Sequence, residues 1–108
     1  MTKTDTAPAP ISLAAGVDYA TGSVVSKTLL DKKAGTLTLF AFDAGQGLSE
    51  HTAPYDATVQ VVDGEGEFTV GGVAQTVKTG QLLIMPANVP HSVSARGRFK
   101  MLLIMIRA

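Results

Sequence analysis

Short runs of apolar and β-branched residues, separated by glycine-containing turns, repeat along the chain from residue 24 to residue 106. The segment Glu65–Val70 shows the pattern clearly, because Gly66, Phe68 and Val70 alternate with polar residues. Such alternation is typical of a strand with one face in a core and the other in water. No segment carries a sustained 3.6-residue period, so we predict an all-β chain. The predicted strands are Val24–Leu30, Thr36–Phe42, Ala57–Val62, Glu65–Val70, Val73–Val77, Gln81–Met85, His91–Ser94 and Phe99–Ile106.

The last predicted strand is apolar on both of its faces. The side chains on one face are Met101, Leu103 and Met105, and those on the other are Leu102, Ile104 and Ile106. A single sheet would leave one face in water, so a second layer or a second subunit must cover it. Charged residues make up only 17% of the chain, against about 25% in typical domains. This low charge favours a homodimer whose interface includes the strand.

The length of the chain sets its domain organisation. Its 108 residues suffice for one domain, which we place at residues 11–108. Residues 1–10 alternate Thr, Ala and Pro with little apolar mass, and we expect a flexible N-terminal arm there. This arm lacks the apolar core of a signal peptide, so we expect a cytoplasmic protein.

Charge and cysteine content exclude several classes of function. Nine basic residues balance nine acidic ones, so the chain lacks the basic surface that nucleic-acid binding requires. The longest purely apolar run, Met101–Ile106, is too short to cross a bilayer, and no membrane interaction is expected. The chain has no cysteine, which excludes thiolate catalysis, thiolate metal sites and disulfides.

One of the two histidines lies in a spaced pattern with glycine. Five residues separate Gly45 from His51, and Gly64 follows at the end of the next predicted strand. Ser49 lies two residues before His51, but no Gly-x-Ser-x-Gly turn accompanies it. A serine hydrolase is therefore not predicted.

The other histidine ends a second pattern that begins at Gly80. Five residues follow this glycine, then Pro86, one residue, Asn88, two residues and His91. Pro86 and Pro90 favour a rigid loop between two strands. This loop would deliver His91 to the start of the second strand.

Together the two patterns resemble the two sequence motifs of the cupin family, Gly-x5-His-x-His-x3,4-Glu-x6-Gly and Gly-x5-Pro-x-Gly-x2-His-x3-Asn. The likeness spans nearly all of the chain after the N-terminal arm. The second motif departs at Asn88, which replaces glycine and tolerates the left-handed conformation, and at Ala95, which replaces the closing asparagine. The resemblance implies an antiparallel double-stranded β-helix, a jelly-roll barrel, of the small single-domain type.

In cupins a divalent metal is held by both histidines and the glutamate of the first motif and by the histidine of the second. The resemblance therefore assigns His51 and His91 as metal ligands. However, Ala53 stands at the second histidine position and Ala57 at the glutamate position. Protein sites usually use three or more firm ligands. We expect weak or incomplete coordination of a divalent transition metal (Mn, Fe, Ni or Zn).

Two polar side chains near the vacant positions are alternative ligands. Asp56 adjoins the glutamate position, and a kink after Pro54 would turn its carboxylate inward. Gln60 offers an amide oxygen, but it points outward in the register in which the neighbouring apolar side chains face the barrel. We expect the two imidazoles to meet in one cavity. The predicted lining of that cavity is Ala53, Tyr55, Ala57 and Val59.

The remaining large side chains are assigned to the hydrophobic core. They are Phe40, Phe42, Phe68, Phe99, Met85, Met101 and Met105. Methionine is flexible and fills irregular gaps in cores, so the three methionines are not assigned to the site.

Three functions remain open at this point. The first is binding of a small ligand in the barrel, with weak metal coordination. The second is a metal-dependent enzyme, an isomerase, lyase or dioxygenase acting on a small organic acid or sugar-like compound. The third is a structural dimer. The two alanines leave a smaller and more apolar cavity floor, which favours the first, and the sequence leaves open whether the chain catalyses a reaction.

Overall fold

The computed structural model describes residues 8–107, so most of the arm predicted at residues 1–10 lies outside the described residues. Within that range the chain forms strands and turns, and it contains no helix that could cross a membrane. The strands are β1 (Val24–Lys32), β2 (Gly35–Phe42), β3 (Gly47–His51), β4 (Asp56–Asp63), β5 (Glu65–Val70), β6 (Val73–Lys78), β7 (Leu82–Met85), β8 (His91–Ser94) and β9 (Phe99–Ile106). The prediction of an all-β chain is confirmed.

Strand β3 is the one that the hydrophobic pattern did not predict. Four of its five residues are exposed, and Leu48 alone is partly buried. The strand lies at the edge of its sheet and pairs only with β8. An edge strand with no fully buried face carries no alternating apolar signal, which is why the pattern missed it.

The strands form two antiparallel sheets that pack face to face. Sheet A has the order β1-β2-β9-β4-β7, and sheet B has the order β3-β8-β5-β6. The hairpin between β5 and β6 turns at Gly71 and Gly72, whose φ angles are 58° and 83°. A two-residue hairpin turn needs such positive φ angles, which glycine adopts without steric strain. This arrangement of two antiparallel sheets is the predicted jelly-roll barrel.

Three phenylalanines join the two sheets. Phe42 on β2 and Phe99 on β9 are partners in register and stack with ring centroids 4.6 Å apart. Phe68 of sheet B packs edge-on against Phe99, at a centroid distance of 6.0 Å. All three rings are fully buried. Replacing a buried phenylalanine by alanine typically costs about 3–5 kcal/mol, so this cluster contributes strongly to stability.

Residues 11–19 cover part of the outer face of sheet A. Leu13 and Val17 pack against a cluster that contains Leu39 and Leu102. Val17 is only 5% exposed and Leu102 only 9% exposed. Around Leu102, the outer apolar face of β9 is therefore covered by residues 11–19 of the same chain. The sequence had favoured a second subunit as the cover. The N-terminal segment contains enough apolar side chains to form this layer.

Polar contacts hold the same segment in place. The hydroxyl of Tyr19 donates a hydrogen bond of 2.5 Å to Asp63, and burial, this hydrogen bond and the charge of Asp63 raise the pKa of Tyr19. Lys100 is buried, lies 4.7 Å from the centre of the Tyr19 ring and donates to the carbonyl of Ala14. Arg98 lies 5.3 Å from the same ring. These partners compensate the cost of burying the lysine.

The other end of the outer face is open to solvent. Register places five side chains in one row across all the strands of sheet A, and none of them is charged. The row is Ile84, Thr58, Ile104, Leu37 and Leu30. Ile84 is 59% exposed and Leu30 is 44% exposed. The three side chains between them are partly buried. An apolar row of this kind, open to solvent at both ends, is typical of a contact site.

Asp43 joins three separate parts of the chain at the end of β2. Its carboxylate accepts hydrogen bonds from the backbone N–H of Gly22, at 2.6 Å, and from Nε of Arg98, at 2.8 Å. The hydrogen bond from Gly22 and then that from Arg98 lower the pKa of Asp43 below its usual value of 3.8. The folded chain therefore binds this proton less readily than the unfolded chain does.

We predict that this carboxylate contributes to the acid sensitivity of the fold. A depressed pKa stabilises the folded state above the unfolded pKa, and that stabilisation is lost as the pH falls through the folded pKa. The melting temperature should therefore drop as the pH is lowered from about 5 to about 2, and Asp43→Asn should reduce this dependence. Asp31→Asn, at an ion pair with Arg107 of 3.7 Å, is the control. An equally steep drop in the Asp43→Asn variant would contradict the prediction.

Candidate functional site

The two histidines lie opposite each other on neighbouring strands. His51 ends β3, His91 begins β8, and the register pairs them directly, after a bulge that follows Leu48. Directly opposed residues of an antiparallel pair share a face of the sheet, with Cβ atoms about 5 Å apart. The imidazole centroids are 4.3 Å apart, and the ring planes meet at 69°. Both rings can therefore contact one small ligand.

Each imidazole is oriented by a backbone carbonyl two residues earlier in the chain. Nδ1 of His51 lies 2.7 Å from the carbonyl oxygen of Ser49, and Nδ1 of His91 lies 3.0 Å from that of Val89. A carbonyl oxygen only accepts hydrogen bonds, so Nδ1 carries the proton in each neutral ring. The Nε2 atoms of both rings are left with free lone pairs that can accept a hydrogen bond or bind a metal.

The imidazoles form the polar part of an otherwise apolar cavity of about 90 Å³. The other walls are aliphatic and thioether side chains, namely Leu48, Ala53, Ala57, Met85, Val93, Met101, Leu103 and Met105. His91 is 5% exposed, whereas His51 lies on the exposed edge strand. His51 therefore stands at the mouth of the cavity and His91 deeper inside. A water molecule takes about 30 Å³ in the liquid, so the cavity has room for a compact small molecule.

The loop between β7 and β8 connects two residues that line this cavity, Met85 and His91. Asn88 adopts a φ angle of 65°, the left-handed conformation expected when asparagine replaces glycine. The backbone N–H of Asn88 donates a hydrogen bond of 2.8 Å to the carbonyl of Ala53. The N–H of Ala87 donates one of 2.9 Å to the carboxylate of Asp56. These two hydrogen bonds join the loop that carries His91 to the segment that follows His51.

Four of the predicted site residues lie together in the cavity, namely His51, His91, Ala53 and Ala57. The two alternative ligands do not line it. Asp56 and Gln60 both stand at odd spacings from Ala57 on β4, so they lie on its outer side. Asp56 binds the β7–β8 loop, and Gln60 pairs in register with Leu82 of β7. The chain bends at Pro54 and Tyr55, but this bend does not bring the Asp56 carboxylate into the cavity.

Two predicted lining residues also lie elsewhere. Val59 is completely buried in the core, one inward position further along β4 than Ala57, and it does not reach the cavity. Tyr55 is 37% exposed and lies beside Arg107, whose guanidinium carbon is 5.8 Å from the ring centre. Its side chain is not part of the cavity lining.

The three methionines form part of the site as well as part of the core. Met85 and Met101 are 3% and 1% exposed, as expected for core residues, yet both line the cavity together with Met105. Register pairs Ala57 with Met85 on one side and with Met105 on the other. The sequence contains no signal for this placement, because the neighbours of β4 are known only once β7 and β9 have paired with it.

Comparison with known proteins identifies the family. A sequence model of the cupin domain matches residues 38–107. No protein of curated function matches the chain. Because the matched region exceeds half of the sequence, the chain belongs to the cupin family.

Solved structures of similar proteins agree with this assignment. A conserved protein of unknown function from Streptococcus pyogenes shares 31% identity and a TM-score of 0.88, over 93% of this chain and 88% of that one. A cupin 2 conserved barrel domain protein from Leptotrichia buccalis shares 43% identity and a TM-score of 0.87, over 90% of this chain and 47% of that one. A cupin superfamily protein from Desulfitobacterium hafniense shares 28% identity and a TM-score of 0.86, over 91% of this chain and 90% of that one.

The donor atoms of this chain do not fit the divalent metal site of the family. His51 and His91 supply two neutral nitrogen donors, and alanines occupy the other two ligand positions. Among residues 8–107 no group of three His, Cys, Asp or Glu side chains is placed to hold a metal ion. Without a third nitrogen ligand or a carboxylate, Mn, Fe, Ni or Zn would bind weakly here.

We predict that Asp56 positions the loop that carries His91. Asp56→Ala removes the acceptor for the N–H of Ala87, which should cost about 1 kcal/mol and speed amide hydrogen exchange at Ala87 and Asn88. Urea unfolding and hydrogen exchange measured by NMR check this result. Asp56→Asn keeps an acceptor oxygen and should retain most of the protection. Unchanged exchange in Asp56→Ala would show that the loop does not depend on this hydrogen bond.

Proposed function

We propose that this cupin binds a small molecule in the cavity between His51 and His91. The ligand would have a compact apolar body and one hydrogen-bond donor, such as a hydroxyl or N–H group. The observation that supports this proposal is the pair of imidazoles, 4.3 Å apart, in a cavity that is otherwise apolar. A few polar groups in an apolar cavity are typical of small-molecule sites.

The hydrogen-bonding state of the two rings supports the requirement for a donor. Both Nδ1 atoms are held by carbonyl oxygens, so both Nε2 atoms are acceptors. A ligand that buried an Nε2 atom without a hydrogen bond would lose about 1–3 kcal/mol. The cavity should therefore prefer a molecule with a donor over an apolar molecule of the same shape.

The other two functions considered from the sequence have less support. A metal-dependent isomerase, lyase or dioxygenase needs the ligand set that the two alanines remove. A purely structural role does not explain why two oriented imidazoles face an open cavity. The expected location in the cytoplasm stays a prediction.

Phenol and toluene test the binding proposal, because they have nearly the same shape and only phenol donates a hydrogen bond. Titration of ¹⁵N-labelled protein, followed by NMR, should show phenol shifting amide signals of residues 48–57 and 85–93. Toluene should bind about tenfold more weakly, as expected for the loss of about 1.4 kcal/mol. Native mass spectrometry of the freshly purified protein would reveal a retained natural ligand.

Replacing individual alanines by leucine, inside and outside the cavity, locates the binding site. Ala53→Leu and Ala57→Leu place a larger side chain in the cavity and should abolish phenol binding. Ala74→Leu makes the same change at an exposed position of β6 and should leave it unchanged. Ala53 is only partly buried, so the Ala53→Leu variant should fold and still test the proposal if Ala57→Leu does not fold. Phenol binding that survives Ala53→Leu, or that equals toluene binding, would contradict the proposal.

We also propose that the protein is a homodimer formed through the exposed row on the outer face of sheet A. The row contains four apolar side chains and one threonine across five strands. An uncharged apolar row can pack against its own copy about a two-fold axis, which makes a second copy of this chain the partner that fits. The low charge of the chain, 17%, agrees with this proposal.

Sedimentation velocity at micromolar concentration tests the dimer. The unmodified protein should sediment as a dimer, and Ile84→Glu should sediment as a monomer because it places a charge in the row. Val73→Glu is the control, since Val73 is 60% exposed but lies on sheet B, and it should remain dimeric. A monomeric unmodified protein, or a dimeric Ile84→Glu variant, would overturn the proposal.

A further inference from the structure

Every methionine of the chain beyond Met1 lines the cavity that holds the two histidines. The sequence has four methionines, and Met85, Met101 and Met105 all belong to the cavity wall. They come from two different strands, β7 and β9, that lie on either side of β4. Gap filling would scatter methionines through a core, whereas here they meet at one place.

Two of these thioethers flank the position that a metal-binding carboxylate would occupy in a cupin. Ala57 stands at that position, and its partners in register are Met85 and Met105. Directly paired side chains on one face of a sheet have Cβ atoms about 5 Å apart. A methionine side chain is long enough to reach over an alanine at this spacing. The sulfur atoms can therefore enter the space that the missing glutamate leaves.

The donor set of the cavity contains no carboxylate, and its thioether part is soft. It consists of two imidazole Nε2 atoms, whose rings are held by carbonyl oxygens, and thioether sulfur atoms. Thioethers bind Cu⁺ well, whereas Mn, Mg and Ca prefer oxygen ligands. With no carboxylate to compensate the charge, a buried ion of low charge is favoured. The Born cost of burial rises with the square of the charge, so a monovalent ion costs about a quarter of what a divalent one costs.

We infer that this cavity is a Cu⁺ site, with His51 and His91 as nitrogen ligands and Met85 and Met105 as sulfur ligands. The inference rests on the proposed function only in requiring that the cavity admit a ligand from solution. It explains two features together, namely the alanines at two metal-ligand positions and the methionines that surround one of them. Replacing the hard carboxylate of the family by soft thioethers changes the ion that the site selects.

Cu⁺ itself is the probe for the test. The full-length protein is titrated anaerobically with Cu⁺ in competition with the chromophoric chelator bicinchoninate, and Zn²⁺ is measured in parallel. The unmodified protein should bind one Cu⁺ much more tightly than Zn²⁺. Met85→Leu combined with Met105→Leu keeps the core volume and should weaken Cu⁺ binding by about tenfold or more, with Zn²⁺ binding unchanged. Copper X-ray absorption should show sulfur neighbours that the double variant loses.

The controls separate sulfur ligation from altered packing. Leu83→Ile changes another core residue of β7 that packs on the core without lining the cavity, and it should leave Cu⁺ binding unchanged. His51→Ala should weaken the binding of both ions. Equal Cu⁺ affinity in the methionine double variant, or a copper spectrum without sulfur, would overturn the inference. If the protein binds phenol but not Cu⁺, the proposed function stands and the Cu⁺ site is overturned. If it binds Cu⁺ through sulfur but not phenol, the Cu⁺ site stands and the proposed function is overturned.

Discussion

Strand β9 lies in the middle of sheet A and is apolar on both faces, so both of its faces must be shielded from water. On the inner side, Phe99 and Met101 join the core that connects the two sheets. On the outer side, residues 11–19 pack over Leu102. The remainder of the outer face, near Ile104, is the part left open. The position of the core, the course of the N-terminal segment and the exposed row all depend on this one strand.

The site depends on a second pairing, that of β3 with β8. The register places His51 directly opposite His91, and the carbonyl oxygens of Ser49 and Val89 then set the same tautomer in both rings. The two rings are thus oriented before any ligand arrives. Because the backbone does this, the cavity needs no further polar side chain to present two lone pairs. Preorganised acceptors of this kind lower the entropic cost of binding.

The two alanines change the electrostatics of the site as well as its size. A carboxylate at position 57 would compensate the charge of a divalent ion, and Ala57 does not. The cavity therefore contains no carboxylate, which is the reason that both proposals name an uncharged molecule or an ion of low charge. The proposed small-molecule binding and the proposed Cu⁺ binding rest on this same property. They differ only in whether the thioethers of Met85 and Met105 act as apolar surface or as ligands.

Much of the fold could be predicted from the sequence, because alternation of apolar and polar residues indicates a strand with one buried face. The strand Glu65–Val70 and the two-faced strand Phe99–Ile106 were predicted with the ends that the structure shows. The spacing of glycine, proline and histidine likewise predicted the family and the meeting of His51 and His91. The edge strand β3 was missed because exposed side chains carry no such pattern.

The remaining features were decided by tertiary structure. The sequence could not show which chain covers the outer face of β9, because covering depends on where residues 11–19 pack after the sheet has formed. It offered Asp56 as an alternative ligand, whereas strand parity directs that carboxylate to the β7–β8 loop. It placed Met85 and Met105 only in the core, because their position beside Ala57 arises from pairing between strands far apart in the chain. The local sequence pattern determines which residues form strands, whereas the long-range register of the strands determines which side chains meet. The site is formed by this register.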